Sequence, residues 1–448
     1  MCVPAKEAAQ AVALLESTTL REYLDTRHAE PHALGMAPKK EARPRASNEC
    51  TRPPPRPLLL RCKTFAQLLT AHRRTQVILV STEQTVGAAM RTLASAHVLS
   101  APLVLRTGAA AKAPEPQTHA FLAPPPAKPH DNYMVLAFIS VGDFMRAFVE
   151  HCRGAAVAYE EPLLQVMTKL DALGREFCAR DVISLHTQDD GDVVYRGATY
   201  SATLLDLVRA GFLRMPLQRP PLPTRHRVGV FDEHGIVTDI VSMSNVVEWA
   251  HLHVDKLGTL AHRTLAELGL AGGGRFADAP PGDDVVTVPT TMPTGQAFGV
   301  LVARRVSAVG VVDGASGVLV ANLSESDFRA FGPDDFGGLA LPVGEYLVRR
   351  RSLSVSARSE AAGEARCCSP HHAAGGAGAV QDQWAAALLA GGAAITRQPS
   401  DTMMRALETL VGHRIHRFYV VDPATLAPLS VVSLTDVLST LLRGHKST

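Results

Sequence analysis

Aromatic residues make up only 5% of this 448-residue chain, too few for the stacking platforms that single-stranded nucleic acids require. Charge of one sign is lacking as well: 45 Lys and Arg stand against 43 Asp and Glu, a net charge of +2. A general nucleic-acid or membrane-surface binder needs a large single-sign field, so the balance argues against both classes. No window holds the roughly 20 uninterrupted apolar residues of a membrane span. The opening stretch, "MCVPAKEAAQAVALLESTTLREYLDTRHAE", lacks a charged-then-apolar signal layout and reads as a short amphipathic helix. The seven cysteines (Cys2, Cys50, Cys62, Cys152, Cys178, Cys367, Cys368) are odd in number and scattered. A disulfide scaffold is therefore not expected; a reducing compartment is, cytoplasmic and/or nuclear.

What the chain does have is an internal repeat. "HRIHRFYVVDPATLAPLSVVSLTDVLSTLL", from His413, aligns with "HRVGVFDEHGIVTDIVSMSNVVEWA", from His226. In each, His-Arg opens an apolar run that ends in Asp six residues after the His (Asp232, Asp422). A second apolar run then ends in Ser, with a polar residue three positions on: Ser242 and Asn245, Ser433 and Asp436. "VSAVGVVDGASGVLVANLSESDFRAF" is a third copy, with Ser324 and Asp327, and Ser307-Ala308 in the basic slot. "LSAPLVL…VLAFISVGDFMRAFVE" is a fourth, with Ser140 and Asp143, and Leu99-Ser100 in that slot.

A helical pattern precedes each strand pair ("QTVGAAMRTLASAH", "ATLLDLVRAG", "TGQAFGVLVARR", "SDTMMRALETLVGH"). Ahead of each lies a short strand pattern: "TQVILVS", "DVVY", "DVVTVPT" and "AAIT". Each unit is thus predicted to run strand–helix–strand–strand–helix, in an α/β fold. The expected units span 60–151, 155–254, 258–347 and 380–444. The rest comprises 1–58 (a helix and a basic, Pro-rich tail), a Pro/Ala-rich insertion near 107–132 and a linker at 350–380, with tail, insertion and linker expected to be disordered. "CCSPHH" (Cys367 to His372) falls in that linker without flanking strand or helix signals, and is read as incidental rather than as a zinc site. "RRRSLS" offers Ser352 or Ser354 to a basophilic kinase, or is simply a solvated charge run.

The four units resemble CBS domains, which pair as two Bateman modules in a pseudo-symmetric disc. The stretches from His413 and His226, with "LGTLAHRTLAELGL", "RRVSAVGVVDGASGVLVANLSESDFRAF" and "LPVGEYLVRR", are similar to the gamma regulatory subunit of the AMP-activated/SNF1-related protein kinase and to related fungal and plant four-CBS proteins. The resemblance implies adenine-nucleotide ligands (AMP, ADP, ATP), with no other cofactor and no metal. It places Asp143, Asp327 and Asp436 on ribose, and His226-Arg227 and His416-Arg417 on phosphate. Ser140, Ser324, Ser433 and Thr435 flank the acids; unit 2 departs from the pattern with Asn245, and unit 1 has Leu99 where gamma subunits carry a basic residue. The implied partners are protein kinase catalytic and scaffold subunits, with a protein phosphatase as the alternative.

The residues themselves leave two readings open. Ser/Thr-x-x-Asp at a helix start sets a carboxylate among exposed N–H groups, where it can accept both hydroxyls of a ribose. His-Arg at a strand mouth supplies donors to phosphate, at roughly 1.5–3 kcal/mol per charge-assisted bond. The same Ser433, Thr435 and Asp436 also make an ordinary helix cap. His97, His251 and His253 are read as surface or core histidines. No nucleophile elbow, phosphate loop after a strand or His/Glu metal motif occurs, so catalysis is not expected.

Overall fold

Four apolar strand pairs need four partners, and the chain supplies them from its own repeats. The computed structural model describes residues 5–29, 77–105, 134–185, 197–199, 202–213, 226–231, 237–272, 285–350, 384, 387–389 and 394–442. It contains four three-stranded sheets, β1-β2-β3, β4-β5-β6, β7-β8-β9 and β10-β11-β12. Unit 1 holds β1 (Val80–Ser81), β2 (Ser100–Leu105) and β3 (Met134–Ser140); unit 2 holds β4 (Gly197–Thr199), β5 (Arg227–Phe231) and β6 (Val237–Ser242). Unit 3 holds β7 (Thr287–Pro289), β8 (Ala308–Val312) and β9 (Leu319–Ser324); unit 4 holds β10 (Thr396–Arg397), β11 (Arg417–Val421) and β12 (Pro428–Ser433). The mixed α/β class and the tandem repeat expected from the sequence are what the chain adopts.

In every sheet the first strand lies parallel to the second and the second antiparallel to the third. A bulge interrupts each antiparallel pair after the fourth residue of the middle strand, at Leu103/Val104, Val230/Phe231, Val311/Val312 and Val420/Val421. A bulge pins register and raises twist, so its fourfold recurrence marks one unit used four times. Units 1, 3 and 4 also share a non-glycine residue in the left-handed region before the middle strand: His97, Arg305 and Arg414, at φ 55, 52 and 52.

Helices then join the units crosswise. One core packs the helices of units 1 and 3 together with helix Leu163–Ala179, which opens the stretch expected for unit 2, and takes in much of the scarce aromatic content, with Phe144, Phe148, Phe177, Phe298, Phe328 and Phe336 all buried. Phe148 stands 4.3 Å from Phe336 and 5.3 Å from Phe177, centroid to centroid. The other core joins units 2 and 4 and is mainly Leu and Val. Between the sheets of units 3 and 4 lies a smaller cluster of Leu319, Tyr419 and Val421.

Two sequence readings change. The N-terminal segment forms two helices, α1 (Ala5–Ser17) and α2 (Leu20–Ala29), not one. Thr19 and Glu22 break it: the Thr19 N–H and hydroxyl donate to Glu22 Oε2, both at 3.0 Å, and start the second helix. This hairpin packs into the unit 2/unit 4 core and bridges Thr203 of unit 2. The first strand of unit 2 is Gly197–Thr199; "DVVY" (192–195) lies outside the described residues. The "ATLLDLVRAG" helix is one turn, Leu204–Asp206, that widens into a π-turn at Leu207–Phe212. The 107–132 insertion, residues 30–58, "CCSPHH" and Ser352/Ser354 also lie outside the described residues. Among the described residues no helix is long and apolar enough to cross a membrane.

Helix Leu163–Ala179 reaches the turn Phe336–Ala340 through Gly174, where a Cβ would sit 2.6 Å from Phe336 Cγ. Gly174→Ala gains helix propensity of about 1 kcal/mol but overpacks this contact by ~1–3 kcal/mol. The expected outcome is a net loss of stability, read as a lower urea midpoint with an unchanged m-value.

Candidate functional site

The register of the strand pairs decides what meets at their ends. The residue that opens each middle strand faces the serine that closes the third: Ser100 opposite Ser140, Arg227 opposite Ser242, Ala308 opposite Ser324, Arg417 opposite Ser433. The two ends of each sequence repeat are therefore neighbours in space. One further bond recurs in all four units. The N–H of the residue after the cap (Val141, Met243, Glu325, Leu434) donates to the carbonyl of Leu99, His226, Ser307 and His416, at 2.9, 3.0, 3.0 and 3.1 Å.

At each serine a capping box forms. Ser140 donates from N–H and Oγ to Asp143 Oδ2 at 2.8 and 2.7 Å, and Ser324 does so to Asp327 at 2.8 and 3.0 Å. Ser433 donates likewise to Asp436 Oδ2 at 2.8 and 2.6 Å. Asn245 takes the same place in unit 2, accepting from Ser242 at 2.9 and 2.8 Å. The capping role is thus realised in every unit, by amide as well as by carboxylate. Asp436 is buried among these donors.

The basic pairs of the even units cross to the odd units. Arg227 Nη1 donates to Ser100 Oγ and Arg417 Nη2 to Ser307 Oγ, each at 2.6 Å. The slots that lack basic residues in units 1 and 3 are filled by guanidiniums from units 2 and 4. Burial pushes Arg227 down to about 10. His226 is lowered to about 4 by burial, Arg417, His416 and Arg227; His416 is lowered to about 4 by burial, Arg417 and Arg227. Both residues are nonetheless solvent-exposed, which limits how far burial can lower them, while the neighbouring guanidiniums act in the same direction. His226, Arg227, His416 and Arg417 thus form one positive cluster, neutral at the imidazoles near pH 7.

The helix starts also meet in pairs. Thr435 Oγ1 lies 3.7 Å from Met243 Sδ, joining units 4 and 2. Glu325, just after cap Ser324 of unit 3, lies over Gly142 of unit 1, where a Cβ would meet its carboxyl oxygens at 2.8 and 2.9 Å. Burial raises Glu325 to about 7, with Asp143 adding to the rise and Arg417 and Arg146 opposing it. Sequence reasoning passes over Glu325, because every charge around it comes from other units. Asp143 binds Arg146 at 3.4 Å, and Tyr419 OH donates to Asn322 Oδ1 at 2.7 Å across the unit 3/unit 4 sheets. No cluster of three or more His, Cys, Asp or Glu that could hold a metal occurs among the described residues.

No family model and no curated protein matches the sequence. Solved structures similar to this chain include two described as CBS domains. A protein from Methanocaldococcus jannaschii, proposed as an archaeal homologue of g-AMPK, is 10% identical, with 81% of this chain and 95% of that one covered and a TM-score of 0.44. The CBS domain of a bacterial CNNM/CorC family Mg2+ transporter is 12% identical, covering 45% of this chain and 87% of that one, with a TM-score of 0.26. A CBS domain from a Sphaerobacter thermophilus membrane protein is 18% identical, covering 44% and 97%, with a TM-score of 0.23. With every TM-score below 0.5, the description of the fold rests on the chain's own strand pairing.

The shifted groups set opposing pH dependences. His226 and His416 fall from 6.5 to about 4 on folding, so the unfolded chain binds more protons in that window. Their contribution is complete above pH 6.5 and is lost as pH falls towards 4. Glu325 rises from 4.5 to about 7, so its contribution is lost as pH rises through that interval. In thermal unfolding between pH 4 and 8, His416→Gln is expected to flatten the acid limb, and Glu325→Gln to remove the decline towards pH 7.

Proposed function

We propose that this chain is a non-catalytic regulatory protein that binds an adenine nucleotide at the crossing of its four units and passes the occupancy to a partner protein. One observation carries the reading: His226, Arg227, His416 and Arg417, from two units far apart in sequence, gather in one cluster at the helix starts. A positive cluster beside helix N-termini suits phosphate, and each charge-assisted bond contributes roughly 1.5–3 kcal/mol. The acids at the caps supply acceptors for the ribose hydroxyls. Sensing follows only if the ligand binds two states of the protein, or of its assembly, with different affinity.

The sequence resemblance gives the partner as the catalytic and scaffold subunits of an SNF1-related/AMP-activated kinase. A second reading, a scaffold without ligand, is favoured by the complete capping boxes, which account for Ser433 and Asp436 without any nucleotide.

Calorimetric titration with AMP, ADP and ATP separates the two. Arg417→Ala is expected to weaken binding about tenfold or more. Asp436→Asn keeps the cap in the form that Asn245 already uses, so its unfolding temperature should stay close to the wild type while nucleotide affinity falls. Asp436→Ala should lose both affinity and ~0.5–2 kcal/mol of stability. Absence of heat with all three nucleotides would leave the scaffold reading. For the partner, affinity capture from lysate should recover kinase catalytic and scaffold subunits; a phosphatase catalytic subunit without kinase would overturn that assignment.

A further inference from the structure

We propose that Glu325 sets the charge selectivity of the site where the four units cross, favouring a nucleoside monophosphate over a triphosphate; this step rests on the nucleotide reading above. Glu325 opens the turn Glu325–Ala330 of unit 3, yet its carboxyl serves other units. It lies over Gly142 at the first turn of helix Val141–Gly154 in unit 1. The charged groups that face it are Arg417 from β11 of unit 4, and Asp143 and Arg146 from that unit 1 helix.

Ser307 ties the arrangement together. Its hydroxyl accepts from Arg417 at 2.6 Å, and its carbonyl accepts from the Glu325 N–H at 3.0 Å. The acid is therefore tethered to the same strand end as a guanidinium assigned to phosphate. Asp143, the other carboxylate here, is engaged by Ser140 and by Arg146.

An anion fixed beside the phosphate-binding cation repels an arriving phosphate in proportion to its charge, and partial burial limits screening of that repulsion. A triphosphate carries roughly twice the charge of a monophosphate, so it suffers the larger penalty. Protonation of Glu325 removes the penalty, which places the change of selectivity near neutral pH, since burial holds the acid at about 7.

The test is titration of the full chain with magnesium-free AMP and ATP at pH 6 and pH 8, for wild type, Glu325→Gln and Arg417→Ala. Glutamine keeps the size of the side chain and removes its charge. In wild type, ATP affinity is expected to drop from pH 6 to pH 8 more than AMP affinity does. In Glu325→Gln at pH 8, ATP should bind about tenfold tighter and AMP about threefold tighter, and the AMP-to-ATP preference should cease to change with pH. An unchanged preference in Glu325→Gln, with Arg417→Ala weakening both nucleotides, would overturn the role of Glu325 and leave the nucleotide reading standing. No binding of either nucleotide to wild type or to Glu325→Gln would overturn both.

Discussion

The antiparallel register between the second and third strands of each unit is the constraint on which the centre of this protein depends. It sets Arg227 opposite Ser242 and Arg417 opposite Ser433, and it sets their counterparts opposite Ser140 and Ser324. A slip of one residue would turn every side chain to the other face of its sheet. The bulge after the fourth residue guards against that slip, and the bond from the first helical N–H to the slot carbonyl fixes the helix to the same point. Cap, strand mouth and helix start are thereby tied to one point.

Four such pieces with four cationic slots would crowd like charges into one small volume. The chain meets this by alternation. Units 2 and 4 carry His-Arg, while units 1 and 3 carry a serine in the slot, and each arginine of an even unit donates to the serine of an odd one. Two guanidiniums thereby donate to hydroxyls of the odd units, which add no further positive charge to the centre. The helices enforce the geometry from outside by packing unit 1 on unit 3 and unit 2 on unit 4, crosswise to these arginine–serine links. Glu325 enters through that crosswise packing, which lays the start of unit 3 over the start of unit 1.

Local chemistry made the units legible. Paired apolar runs closed by Ser-x-x-Asp define two strands and a capped helix whatever surrounds them, so the fourfold repeat could be read from sequence and the fold follows it. Thr19-x-x-Glu22 is the same kind of signal, but it sits inside an otherwise helical stretch, so the pattern reads as one helix where two form. Other features had no local signal. The docking of α1 and α2 against unit 2, the pairing of Arg227 with Ser100 across 127 residues, and the surroundings of Glu325 are all products of tertiary packing. A serine in a basic slot looks like a loss when one unit is read alone; its role exists only in the pair.

The capping boxes bear on whether helix cap and nucleotide ligand are rival explanations for the same acids. In all four units the serine N–H and hydroxyl converge on a single oxygen, Oδ2 of the three aspartates and Oδ1 of Asn245. Asn245 makes those two bonds as well as its aspartate counterparts do, so capping alone does not call for a carboxylate at Asp143, Asp327 and Asp436. What the carboxylate adds is a charge at the helix N-terminus, worth about 0.3–1 kcal/mol there, and a second acceptor oxygen in place of an amide NH2. The cap fixes the rotamer, and with it the direction in which that second oxygen points. An acceptor already held in place loses little entropy when a ligand arrives, so the interaction that accounts for the motif structurally is also the one that would prepare it for ribose.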